Sequence, residues 1–301
     1  MASINPKRSA VEKAFEEKEE RKSSGMTTNI TYQMENLYRP FLSQQYGELA
    51  NYLQQSHAPR SDALMYEVAA QLGIGEHSAV LDVGTGCGPH AIELARRLGC
   101  HVTGVDIAAT SLKEACRRVE ELDMRQQITF LQGDILALPF ASDTFDLLVC
   151  CGVLEHIKKL PQAFQECARV LKPSGKMLIM ATLATELLEP SEATYLYKNV
   201  QLVPENMSPT TFEAMLTAAH FVIYSREFLG SETYEYLFER ELSNTHPLLQ
   251  LSRLRRLRTS CEAQFGDEAC RTMELMSLWY IYHFLGKLAS VFYVVECKQE
   301  G

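Results

Sequence analysis

Between residues 79 and 185 the chain alternates two textures. Short apolar runs at Ala79–Val83, His101–Ile107, Ile128–Gly133, Phe145–Cys151 and Lys176–Thr182 have the length of strands buried on both faces. Between them, over Pro89–Leu98, Ser111–Leu122 and Leu160–Leu171, apolar residues recur every three or four positions, the mark of amphipathic helices. Strand and helix in alternation with short links predict an α/β domain on a parallel sheet with helices on both faces. Ligands of such sheets bind at the carboxyl ends of the strands, so the residues that stop each strand carry the candidate chemistry.

The first strand stops in the run Val80–Gly88, Val-Leu-Asp-Val-Gly-Thr-Gly-Cys-Gly, and Pro89 opens the next helix. Glycines at 84, 86 and 88 let the backbone turn tightly and approach a ligand, and the following helix start offers unpaired amides. The dinucleotide fingerprint G-x-G-x-x-G would need a small residue at 89, where this chain has Pro89. Asp106 ends the second strand, 22 residues after Gly84. An acid there can accept from ribose hydroxyls, or it can serve only as a helix cap. The third strand runs into Gly133-Asp134-Ile135, and the fourth into Cys151-Gly152-Val153-Leu154-Glu155-His156.

Flanking segments read differently. Residues 1–25 are dense in Lys, Arg and Glu and predict a solvated tail. Tyr32 to Leu53 and Arg60 to Leu72 predict amphipathic helices before the sheet. After the fifth strand, Ser208 to Phe212 opens a helix, Phe221–Phe228 reads as a sixth strand and Ser290–Cys297 as a seventh. About sixty residues separate the last two, too many for a hairpin loop, and they carry helical stripes: Leu248, Leu251, Leu254, Leu257, then Met273, Met276, Tyr280, Phe284. The basic run Arg253–Arg258 reads as a solvated helix face or as a clamp for an anionic substrate group.

Composition narrows the classes. Hydrophobic residues make up 46% and charged residues 22%, ordinary values for a globular protein with a sizeable core. A formal charge of −9 speaks against general nucleic-acid binding. No apolar run is long enough for a membrane span, and the start lacks the apolar core of a signal peptide. The nine cysteines are scattered without a C-x-x-C pair, so they predict neither disulfides nor a metal site, and a cytoplasmic location is expected.

Four motifs in order, over about residues 75–185, resemble the class I S-adenosylmethionine-dependent methyltransferases, most of all the small-molecule branch related to the ubiquinone and menaquinone methyltransferases. No Asn-Pro-Pro-Tyr or Asp-Pro-Pro-Tyr follows the fourth strand, where nucleic-acid amino-methylases carry one. The resemblance implies a doubly wound, seven-stranded, mostly parallel sheet of the Rossmann-like methyltransferase fold. Around it are expected a tail at 1–25, a helical lid at 26–74, a core at 75–230, a helical cap insert at 231–288 and the last core strand within 289–301. It implies S-adenosylmethionine as cofactor, with Asp82, Gly84 and Gly86 around its methionine part, Asp106 at the ribose and Ile107 also among the cofactor-binding residues. Asp134 and Ile135 would take the adenine, and Cys151 and Gly152 would line the floor near the sulfonium.

Methyl transfer from a sulfonium needs alignment and exclusion of water more than it needs a base. His156 is the candidate base where an acceptor must lose a proton. Tyr32, Tyr38, Trp279, Tyr280, Tyr282 and His283 are the candidate pocket residues, an aromatic lining suited to an apolar or cationic acceptor. The expected activity is methylation of a small molecule at O, N or C, such as a secondary metabolite or lipid-like precursor. A non-methylating cyclase or binding module on the same fold is the alternative. Insert helices could also pair two subunits as a homodimer.

Overall fold

The computed structural model describes residues 33, 35–37, 39–242 and 246–297. The chain divides into two compact units, Met1–His57 and Ala58–Gly301. In the first, a 3-10 turn at Arg39–Leu42 leads into helix α1, Gln44–Leu53. Ser43 caps α1, its hydroxyl accepting from the Tyr46 amide at 3.2 Å. Tyr32 and Tyr38 lie outside the described residues.

The second unit holds a seven-stranded sheet: β1 Ala79–Val83, β2 His101–Asp106, β3 Ile128–Gln132, β4 Phe145–Cys151, β5 Leu171–Ala184, β6 Phe221–Gly230 and β7 Leu288–Cys297. Its order is β3-β2-β1-β4-β5-β7-β6. The first five strands pair in parallel, and β7 runs antiparallel to both β5 and β6. In chain order the helices are α2 Ala63–Gln71, α3 Pro89–Leu98, α4 Ala109–Glu121, α5 Leu160–Val170, α6 Pro190–Val200 and α7 Pro209–Ala218. Past β6 come α8 Glu232–Tyr236, α9 Pro247–Arg256, α10 Arg258–Phe265 and α11 Asp267–Phe284.

Side chains alternate across a strand, and this alternation builds two cores from one sheet. Leu81, Val83, Leu148, Cys150 and Ile179 face α5 and α7, meeting Phe164, Cys167 and Phe212. Val80, Leu147, Val149 and Leu178 face the other way, onto Met65 and Ala69 of α2 and Ile92 and Ala95 of α3. Both layers are required because a parallel strand buried on each face has no solvent side. A third, smaller core of Leu196, Leu202, Leu251, Leu278 and Tyr282 lies beneath the helices that follow β6.

Several expected bounds shift by a residue or two, with β6 running on to Gly230 and β7 starting at Leu288, and two differences are larger. Strand β5 begins at Leu171, not Lys176, because Leu171 pairs with Phe145 before the register shifts and resumes at Leu147–Lys176. The stripes of the insert are only half apolar-facing: Leu251 and Leu254 are buried, while Leu248, Leu257, Met273, Met276 and Phe284 are exposed. Along α11 the inward residues are Cys270, Ser277, Leu278, Tyr282 and His283.

Candidate functional site

The site forms where β1, β2 and β4 stop. Gly84, Gly86 and Gly88 all have positive φ, at 73°, 53° and 77°, so the backbone leaves β1 along a path closed to most side chains. At Gly84 a β-carbon would lie 2.1 Å from the Val153 Cγ2, and at Gly88 2.7 Å from the Phe130 ring. At Gly86 it would meet nothing within 4 Å. Two glycines are therefore set by packing, and Gly86 borders open space.

Beneath the turn Asp82 is buried, and its carboxylate accepts from the Thr85 hydroxyl at 2.6 Å. Burial pushes its pKa up, against the opposing pull of the His90 charge and the Thr85 bond. Asp82 thus braces the turn from inside. Asp106 braces it from the side: one carboxylate oxygen accepts from the Gly86 amide and the other from Ala108, both at 2.8 Å. Each oxygen has a second lone pair for a further donor. Ile107, next in the chain, is 69% exposed, an apolar platform at the strand end. Asp134 is exposed and accepts from the Leu136 amide at 2.9 Å, while Ile135 is turned into the core. Open room over Gly86, a ribose-competent carboxylate and an apolar ledge suit a nucleoside cofactor. Ile107 offers the ring-sized surface that Ile135, at 6% exposure, does not.

A cleft of about 270 Å³ continues from the floor of β4. Cys151 and Gly152 form that floor, with Met180 and Thr182 of β5 beside them. Asp62, Met65 and His90 make one wall. The insert contributes Thr233, Tyr234 and Tyr236 of α8 with Leu237 and Glu241 of the π-helical turn Leu237–Glu241. His90 is held by the Tyr66 hydroxyl, 2.8 Å from its Nδ1, and Asp62 lies 3.9 Å from the same nitrogen.

Tyr234 is anchored from behind. Its oxygen accepts from the Trp279 indole at 2.8 Å, and its ring lies 4.0 Å from the His283 imidazole and 5.6 Å from Tyr280. Burial raises its pKa to about 12, with hydrogen bonds from Trp279 and Thr182 pulling the other way, so it is a neutral phenol near pH 7. Trp279, Tyr280, Tyr282 and His283, expected to line the pocket, do not border this cleft. Trp279, Tyr280 and His283 support the tyrosine that does, and Tyr282 packs into the small third core. Helical period marks one face of α11 but not what lies between that face and the site, and α8 lies between. The position of Tyr234 and Tyr236 directly after the sixth strand was the available signal.

His156 is not brought to the cleft either. The 3-10 turn Leu154–His156 aims Glu155 inward and leaves His156 exposed, its Nδ1 3.2 Å from the Gln201 carbonyl. Glu155 is 2% exposed: one oxygen accepts from the Thr182 amide and the other has no partner. Burial raises its pKa. In the basic run, Arg255 and Arg258 pair with Glu274 within the insert, and none of the run borders the cleft.

Comparison with known proteins agrees with this geometry. The family model described as "Methyltransferase domain" matches residues 80–175. A sterol 24-C-methyltransferase of Gibberella zeae is 32% identical over 122 residues, 40% of this chain and 32% of its own length. The ubiquinone/menaquinone biosynthesis C-methyltransferase of Roseobacter denitrificans is 30% identical over 125 residues, 41% and 48% of the two chains. This chain therefore spans less than half the length of either relative. Among solved structures, the SpnF cyclase superposes with a TM-score of 0.64 at 18% identity, over 82% of this chain and 86% of its own, a likeness of fold. Residues 80–175 thus match a methyltransferase domain, and the chain is similar there to the ubiquinone/menaquinone C-methyltransferases, a likeness that supports S-adenosylmethionine as the cofactor.

Proposed function

We propose that the protein transfers a methyl group to a small molecule held in the cleft between Cys151–Gly152 and the α8 wall. The observation that carries this reading is the cleft itself: it opens towards the carboxyl ends of β4 and β5, is bordered by His90 of the helix that follows the glycine turn, and is walled by a segment of the insert. The cofactor supplies an already activated methyl group, so the chain's task is to align an acceptor and keep water out. Gly84, Gly86 and Asp106 would hold the methionine and ribose portions, and Ile107 with Asp134 the adenine. Tyr234 and Tyr236 would position the acceptor. His90, bordering the cleft where His156 does not, is the side chain placed to take a proton from an acceptor that must lose one. A secondary metabolite or a lipid-like precursor fits the size and partly apolar lining of the cleft.

The test is incubation with S-adenosylmethionine and a panel of small acceptors, following S-adenosylhomocysteine. Release that depends on both acceptor and Asp106 is expected. Tight cofactor binding with no turnover on any acceptor would favour the second reading, a cyclase on the same fold, to which the SpnF likeness lends its one support.

A further inference from the structure

The charges around the cleft are one-sided. Two carboxylates, Asp62 and Glu241, line it, and among the described residues no lysine or arginine does. Among the described residues, Glu241 has no hydrogen bond or ion pair, and Asp62 makes no side-chain cap to α2 and has only the 3.9 Å approach to His90. The nearby cation Arg60 is already claimed twice, by Glu232 at 2.7 Å and Glu227 at 2.6 Å, which leaves that group with a net negative charge. Behind Thr182 lies the buried Glu155 with its unpartnered oxygen. Aromatic rings complete the wall: Tyr234 and Tyr236 flank the stretch that ends at Glu241.

A cleft lined by a carboxylate without a partner and by tyrosines is a poor site for an anion and a good one for a cation. Ring quadrupoles attract positive charge, and a carboxylate without a partner adds to that attraction. The cofactor's methionine portion belongs at the glycine turn, on the floor. Glu241, on the insert wall with the tyrosines, faces what enters from the other side.

Resting on the reading of this cleft as the acceptor site, we propose that the acceptor is a cation, a small molecule carrying an ammonium group. Glu241 neutralises it, Tyr234 and Tyr236 enclose it, and Asp62 adds to the negative potential of the cleft. The absence of a basic lining disfavours acceptors whose recognised group is a carboxylate or phosphate.

The test compares two probes of matched shape, 2-phenylethylammonium and 2-phenylethanol, titrated calorimetrically into the protein saturated with S-adenosylhomocysteine. The expected result is about tenfold tighter binding of the ammonium. That preference should fall below about threefold in Glu241→Gln, with S-adenosylhomocysteine affinity unchanged. Salt should weaken the ammonium and leave the alcohol unaffected. Glu241 is exposed, and matching unfolding curves show whether the variant keeps its fold. Equal binding of the two probes, no binding of the ammonium, or a preference indifferent to Glu241→Gln overturns the proposal. Failure of the methyltransferase reading is seen separately, as absence of S-adenosylhomocysteine binding, and the same probe pair then tests the cleft charge on the free protein.

Discussion

At residue scale, His283 shows what the sequence conceals. It is fully buried, its Nδ1 lies 2.9 Å from the Trp279 carbonyl, and its Nε2 has no partner. Burial lowers its pKa from 6.5 to about 4. Between those values the unfolded chain binds a proton that the folded chain refuses. The contribution to stability is therefore whole above pH 6.5 and is lost as pH falls towards 4. Glu155 acts in the opposite sense, since burial raises its pKa and the folded state then binds more protons. Unfolding in urea at pH 7 and pH 5 separates the two when wild type is compared with His283→Phe. The variant should lose roughly 2 kcal/mol less on acidification. Equal losses would place His283 in contact with water. From the sequence this histidine resembled a pocket residue, because aromatic spacing on a helix does not distinguish the side chain facing a ligand from the one behind it.

At the scale of elements, the strand–turn–helix unit β1–α3 was legible to the residue. Its buried run, its glycines and the proline at the helix start each permit few alternatives. The glycines nevertheless differ in what they do. Gly84→Ala drives a methyl group into Val153 and forces a left-handed backbone, so it should cost more than the roughly 1–3 kcal/mol of strain alone. Gly86→Ala meets no neighbour and should keep most of the stability while losing cofactor affinity, because its methyl group enters the open space. Melting temperatures and calorimetry on both variants check this contrast. A Gly86→Ala protein that binds as wild type would move the cofactor off the turn. The end of α5 was less legible. Lys172, Pro173 and Gly175 signal a helix stop but not that Leu171 already pairs with Phe145.

At the scale of the molecule, the second unit is a generic sheet carrying an individual insert. The parallel strands β1 to β5 lie in a stretch whose motifs tolerate little variation, whereas the insert's contacts depend on which of two half-apolar faces finds the core. Tyr234 joins the two parts through Trp279 and the cleft. Tyr234→Phe leaves the indole N–H without its acceptor, and unfolding should show a loss of about 1–2 kcal/mol. Cofactor affinity should be unchanged and acceptor KM raised, as a wall residue requires; a weakened cofactor with an unaltered KM would assign Tyr234 to the floor.

The central claim, a nucleoside cofactor seated between the glycine turn and Asp106, is tested most directly by calorimetric titration with S-adenosylmethionine of wild type and Asp106→Ala. Loss of a carboxylate that accepts from the turn and, on this account, would accept from a ribose should cost roughly 1–3 kcal/mol, or one to two decades in affinity. Wild type that binds and a variant weakened by that amount are predicted. Equal affinity, or wild type that binds nothing, would contradict the account.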